Sequence, residues 1–243
     1  MPAFANSRRV AVFFLLLSGV VEGLNWLNVS SVFPFFALDL KQNVSALGTI
    51  TATFLVGEGL FQIPAAIIAG RYSQKRIILY GTAASSVAIL LMAFATRIEQ
   101  IAILRFASGI GMAFTYAPGY ILVAKYFDAG SEGTATGMFG AAALFGNVFA
   151  LIGDSVLPVF VGWRMTLALN GVFGLVVALG LLALLPETRK VGGIVIHDLG
   201  SPSLSRMKGI LFDRWILAIG SAMLSIEIGS VLASNFMVEV FQA

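Results

Sequence analysis

The chain contains no cysteine and a single histidine, and only 11% of its 243 residues are charged. Without thiols there are no disulfides, no thiolate metal sites and no thiol catalysis to consider. His197 falls in a polar stretch between apolar segments, so no buried Ser/His pair or H-E-x-x-H site can be assembled, and an intramembrane enzyme is not expected. No G-x-x-x-x-G-K-[ST] loop occurs, which leaves nucleotide-driven work unsupported. Soluble domains carry about a quarter charged residues. Here 58% of residues are hydrophobic and the mean hydropathy is +0.94, which places the chain in a lipid bilayer.

What is abundant is long apolar sequence. A spanning helix needs about 20 mostly apolar residues, and seven stretches qualify: 10–37, 46–69, 77–96, 101–126, 134–158, 164–185 and 214–237. The polar stretch 187–213, with Gly192-Gly193 and a Ser/Pro-containing piece, reads as a linker. The basic start before the first apolar run is not read as a cleavable signal, because that run exceeds signal length, lacks a small-x-small site and leads into six further spans.

The net charge of +3 does not imply a nucleic-acid partner here; its placement reports orientation. Arg8, Arg9, Arg71, Lys75, Arg76, Lys125 and the basic residues of the linker fall on one side of the alternating spans, against Lys41, Arg97 and Arg164 on the other. The positive-inside rule therefore predicts a cytoplasmic N-terminus and a cytoplasmic linker in a multi-pass protein of the cell membrane.

Ionisable groups inside spans are costly and mark function. Glu22, Glu58 and Glu227 each lie 11 or 12 residues from the cytoplasmic end of their span, roughly 16–18 Å deep at 1.5 Å per residue and so near the midplane. A neutral amide or hydroxyl would hold helices together at lower cost, so these three are the proton-coupling candidates. Ser18, Glu22 and Asn25 share one helical face with Trp26 at its edge; Glu58 and Gln62 repeat the pattern, as do Glu227, Ser230 and Ser234. Asn25, Trp26, Arg105, Tyr116, Tyr120 and Asn147 are the candidates for lining a solute cavity. Gly109, Gly111, Gly133, Gly137, Gly140 and Gly146 permit close helix approach, and Pro118-Gly119 should bend the fourth span.

The segment Pro64-Ala-Ala-Ile-Ile-Ala-Gly70-Arg71-Tyr-Ser-Gln-Lys75-Arg76 resembles the signature loop of the major facilitator superfamily, G-x-L-A-D-R-x-G-x-K/R-R. Ala66, Gly70 and Ser73 stand where that pattern has glycine, aspartate and glycine. Weaker likenesses follow in family order: Arg105 four residues before Gly109, Glu132–Gly137, Gly162-Trp163-Arg164 and Pro186-Glu187-Thr188. Together they cover about residues 10–190.

The resemblance implies a secondary transporter of a small solute, working by alternating access without metal or cofactor. It implies an all-α fold in which residues 1–186 form a six-helix half, 187–213 a linker and 214–243 the first helix of a second half that is missing, in cis or in trans. Arg71, Lys75 and Arg76 would form a cytoplasmic gate, with Asp128 or Glu132 replacing the absent acid as partner of Arg71. The alternative is an incomplete or non-transporting half-protein, either a truncated product or an assembly partner.

Overall fold

A computed structural model of the chain describes residues 2–128, 130–185 and, in the last segment, 213–218, 220–222, 225–226 and 228–229. Their contacts divide into two units between Gly193 and Ile194. The first unit holds α1 (Pro2–Asp39), α2 (Val44–Arg71), α3 (Gln74–Met92), α4 (Ile98–Ala124) and α5 (Glu132–Leu184). All five are long and apolar enough to cross a membrane. In the second unit the described residues from Arg214 onward are helical.

The fifth and sixth expected spans are the two arms of α5. They separate at Gly162, whose φ of 79° and ψ of 158° suit glycine and interrupt the helical path. Leu157-Pro158-Val159 and Trp163 are apolar too, so the chain turns back without a polar loop. The third span departs from expectation, because α3 stops at Met92 rather than residue 96. Ala93, Phe94 and Ala95 instead bond to Leu90, Leu91 and Met92, the i→i+3 pattern of a tightening end. Ala93 and Ala95 remain buried, which is why an apolar window extends over them.

Two apolar layers hold the first unit together. Near Asp39, residues Val32, Phe36, Ile50, Met92, Ile101 and Trp163 form one; near Arg8, residues Ala11, Leu15, Ile78, Leu122 and Leu181 form the other. Between them lie buried Ser18, Glu22, Asn25, Arg105 and Ser108. The outer surface is apolar as well, with Leu60, Ile63, Phe160, Val176 and Leu179 exposed. Backbone groups in hydrocarbon must be paired within their own segment, which leaves the helix as the one form such sequence can take here.

At the Asp39 end, Asp39 accepts from Trp163 Nε1 at 3.1 Å and from Arg164 Nη1, while Arg164 Nη2 donates to Ala95 O at 3.2 Å. One carboxylate thus joins the end of α1, the α3–α4 turn and the α5 bend. Along its length α1 packs mainly against α5. Gly23 and Gly146 mark the closest approach: a Cβ on Gly146 would collide with Val20 O and reach Leu24 N at 2.9 Å, whereas one on Gly153 would meet nothing.

Gly146→Ala should therefore cost about 1–3 kcal/mol of stability through overpacking. Gly153→Ala, on the same helix, should be neutral or gain up to about 1 kcal/mol from helix propensity. Thermal unfolding of the two variants in detergent checks the contrast.

Candidate functional site

Arg105 is 1% exposed, in the middle of a bundle whose outside is apolar. Its Nη1 donates to Asn25 O and its Nη2 to Trp26 O at 3.0 Å. These are helical carbonyls, and each has a second lone pair free to accept. The guanidinium plane lies 4.0 Å from the centroid of the Phe54 ring, which meets Trp26 edge-on at 5.6 Å. Arg105 thus ties α4 to α1 and packs on α2. Only its Nε lacks a hydrogen bond. The expected cavity role is narrowed accordingly, since two faces of the guanidinium are already engaged by protein.

Glu58 lies within electrostatic reach of both Arg105 and Glu22. Glu58 therefore links the other acid and the cation electrostatically. Glu22 is buried and its Oε2 has no hydrogen-bond partner. Asn25 links the same face to α4: its Nδ2 donates to Val21 O at 2.9 Å and its Oδ1 accepts from Ser108 Oγ at 3.3 Å. The approach of α2 to α4 that makes this possible runs through Gly57 and Gly109; a Cβ on Gly109 would press on the Phe54 carbonyl and reach Glu58 N at 3.0 Å. Glu227 lies outside the described residues.

The remaining cavity candidates are spread along the bundle. Asn147 sits where α1 meets α5, with its Oδ1 buried and without a partner. Tyr116 and Tyr120 stack edge-on at 5.1 Å, and Tyr120 continues to Phe139 at 4.9 Å, forming an aromatic ladder. A cleft of about 490 Å³ lined by Arg8, Arg9, Val12, Phe13, Leu16, Tyr126 and Phe127 opens near the Arg8 end and includes none of the predicted cavity residues. Among the described residues no cluster of metal ligands occurs.

The signature loop behaves differently from expectation. Asp128 pairs with Arg8 at 3.6 Å and Glu132 accepts from Gly130 N at 2.9 Å, so neither serves Arg71, which is exposed and makes no ion pair among the described residues. Instead Gln74 Oε1 accepts from Lys125 Nζ at 2.7 Å and joins the α2–α3 and α4–α5 connections. Lys75 is buried against the end of α5, donating to Leu182 O at 3.1 Å, where a cation suits the helix C-terminus. Arg76 stays exposed.

One buried acid was not anticipated. Asp154 is 3% exposed, and its Oδ2 accepts from Asn170 Nδ2 at 2.7 Å across the two arms of α5. It lies four residues inside the expected end of the fifth span, where a sequence reading treats a carboxyl as boundary rather than interior. Its signal was the apolar run that continues past it to Val161.

Comparison with known proteins agrees with this architecture. The family model of the Major Facilitator Superfamily matches residues 15–242. The 4-hydroxybenzoate transporter PcaK of Pseudomonas aeruginosa is 26% identical over 195 residues, covering 80% of this chain and 42% of that protein. The multidrug resistance protein MdtM of Escherichia coli K12 is 21% identical over 230 residues, covering 93% of this chain and 55% of that protein. Among solved structures, a bacterial homolog of the human lysosomal transporter Spinster, inward-facing and occupied, superposes with a TM-score of 0.66 at 19% identity, over 74% of this chain and 44% of that one. The chain spans about half the length of the curated relatives it matches.

Arg105→Lys keeps the charge but replaces a planar fork by a point donor that cannot reach both carbonyls while stacking on Phe54. The variant should lose about 2 kcal/mol, the scale of one charged hydrogen bond. Thermal unfolding in detergent reads the loss; an unchanged midpoint would mean that the two carbonyl contacts hold nothing together.

Proposed function

Because the chain belongs to the major facilitator superfamily, we propose that it serves secondary active transport of a small solute by alternating access, coupled to protons. The observation that carries this reading is the placement of Glu58 within electrostatic reach of both Arg105 and the buried Glu22, inside an apolar bundle. Arg105 offsets one negative charge at Glu58, and a second on Glu22, within the field of Glu58, is in excess. A proton taken up there neutralises it, which lowers the cost of carrying the site through an occluded state and exposing it on the other side. Ligand and proton then act together by shifting the balance between the two facing states.

The proposed setting is the cell membrane with the N-terminus cytoplasmic, following the excess of Lys and Arg at the Arg8 end. In this reading residues 1–186 are one transporter half and 187–213 a cytoplasmic linker, with residues 214–243 beginning a second half. The solute binds near the midplane, at the depth of Glu22 and Glu58. The relatives are named as a 4-hydroxybenzoate transporter and a multidrug resistance protein, which favours transport over a non-transporting half-protein. Arg71, Lys75 and Arg76 are assigned to a cytoplasmic gate, closed through Gln74–Lys125 rather than through an acid paired with Arg71.

The test uses the full-length product in proteoliposomes under an imposed pH gradient, with 4-hydroxybenzoate, the solute named for one relative, as the first trial compound. Glu22→Gln and Glu58→Gln should each lower gradient-driven uptake at least ten-fold while solute exchange without a gradient persists. Glu227→Gln completes the set. Wild-type gradient dependence in all three variants would make the carboxyls structural and remove proton coupling from the account.

A further inference from the structure

The α1–α5 interface changes character toward the Asp39 end. Gly23 meets Ala143 and Asn147, and Gly146 meets Val20 and Leu24, so α1 and the first arm of α5 run side by side in parallel. Leu24, Leu27 and Ala150 form an apolar layer there, with Phe173 of the second arm packed against it. Two turns, or seven residues, beyond Leu24 and Asn147 along these stripes bring Ser31 level with Asp154. One turn back from Phe173 along the antiparallel second arm is Asn170.

This second layer is polar and buried. Asn28 is 1% exposed, Ser31 4% and Asp154 3%. Both polar atoms of the Asn28 side chain and Ser31 Oγ have no hydrogen-bond partner. Asp154 is held only by the amide of Asn170, and no ion pair reaches it among the described residues.

The charged and titratable groups on the neighbouring helices are all placed elsewhere. On α1 they are Arg8 and Arg9 near its start, Glu22, nine residues before Ser31 and about 13 Å away along the helix, and Asp39, which is bound to Arg164. On α3 they are Lys75, Arg76 and Tyr80, at the opposite end. On α4, Arg105 is committed to Asn25 and Trp26, Glu99 opens the helix, and Tyr116 and Tyr120 lie beyond Arg105 toward its far end. The first arm of α5 offers only Glu132 at its start, and the second only Arg164.

A lone carboxylate so placed is expensive in a bilayer, while structural adhesion would need no acid at all. Asn170, which bonds it, and Asn28 and Ser31 on the facing stripe of α1 are two amides and a hydroxyl, each both donor and acceptor, and can serve either form of a carboxyl. We propose that Asp154 is a second proton-binding site, separated from Glu22 and Glu58 by the Leu24–Leu27–Ala150 layer. The carboxylate accepts from Asn170 Nδ2. On taking one proton from water it becomes the neutral acid, whose O–H is donated to Ser31 Oγ or Asn28 Oδ1, directly or through a water that the unpaired atoms would hold. Release returns the proton to water.

Infrared titration of the full-length protein in lipid, without solute, reads the carboxylic-acid band of buried groups. The expected result is a band that is lost as pH rises, is missing in Asp154→Asn and survives in the Glu22→Gln, Glu58→Gln double variant. Asp154→Glu should restore a titrating band, and Asn170→Leu should displace its midpoint, so the test does not depend on one variant folding. An unchanged spectrum in Asp154→Asn, a band that persists at every pH, or a band that responds to sodium at fixed pH would each overturn the proposal. Its use in transport rests on the proton-coupled reading, but the band does not: a protein that fails to transport and still shows it would overturn that reading alone.

Discussion

A guanidinium sealed inside an apolar bundle has few ways to persist, and Arg105 uses most of them together. It donates to two carbonyls of α1, stacks on a ring of α2 and lies within the field of Glu58. Together they set two helices against α4. The carbonyls fix the level of α1 against α4, the ring fixes α2, and the field explains why an acid is tolerated at Glu58. Glycines at the crossings follow from the same demand, because Gly57 and Gly109 bring α2 and α4 near enough for Phe54 to lie under the charge. Removing the arginine would withdraw the positive charge that faces half-buried Glu58.

The architecture alternates apolar and polar layers along the helix axes. Apolar layers near each end give cohesion, and the layer between them concentrates the ionisable groups. At the Asp39 end the Asp39–Trp163–Arg164 contacts gather three connections on one carboxylate. At the other end the ties are spread over separate pairs, Arg8–Asp128, Lys125–Gln74 and Lys75–Leu182 O.

Much of this was legible in the sequence, for reasons that differ by feature. Helix existence followed from length and hydropathy, since bilayer solvent leaves the backbone no alternative. The stripe of Ser18, Glu22 and Asn25 was legible because side chains three and four apart share a face. The end of α3 was not, because Ala93 to Ala95 are apolar whether helical or turned. The target of Arg105 was not, because a backbone carbonyl carries no residue signature. Arg71 was assigned an acidic partner by analogy, but the local ties run through Gln74 and Lys125. Asp154 escaped notice because a carboxyl near the end of an apolar run looks like its boundary, and only the second arm of α5 shows that it is enclosed.

The claim on which the account turns is that Glu22 and Glu58 act as one electrostatic site. A double-mutant cycle measures this directly, with proton-driven uptake by the full-length protein recorded for wild type, Glu22→Gln, Glu58→Gln and the pair. One shared site predicts that the double variant loses no more than the worse of the two single variants. Losses that multiply as independent factors would contradict it, and would leave two separate carboxyls that merely lie at the same depth.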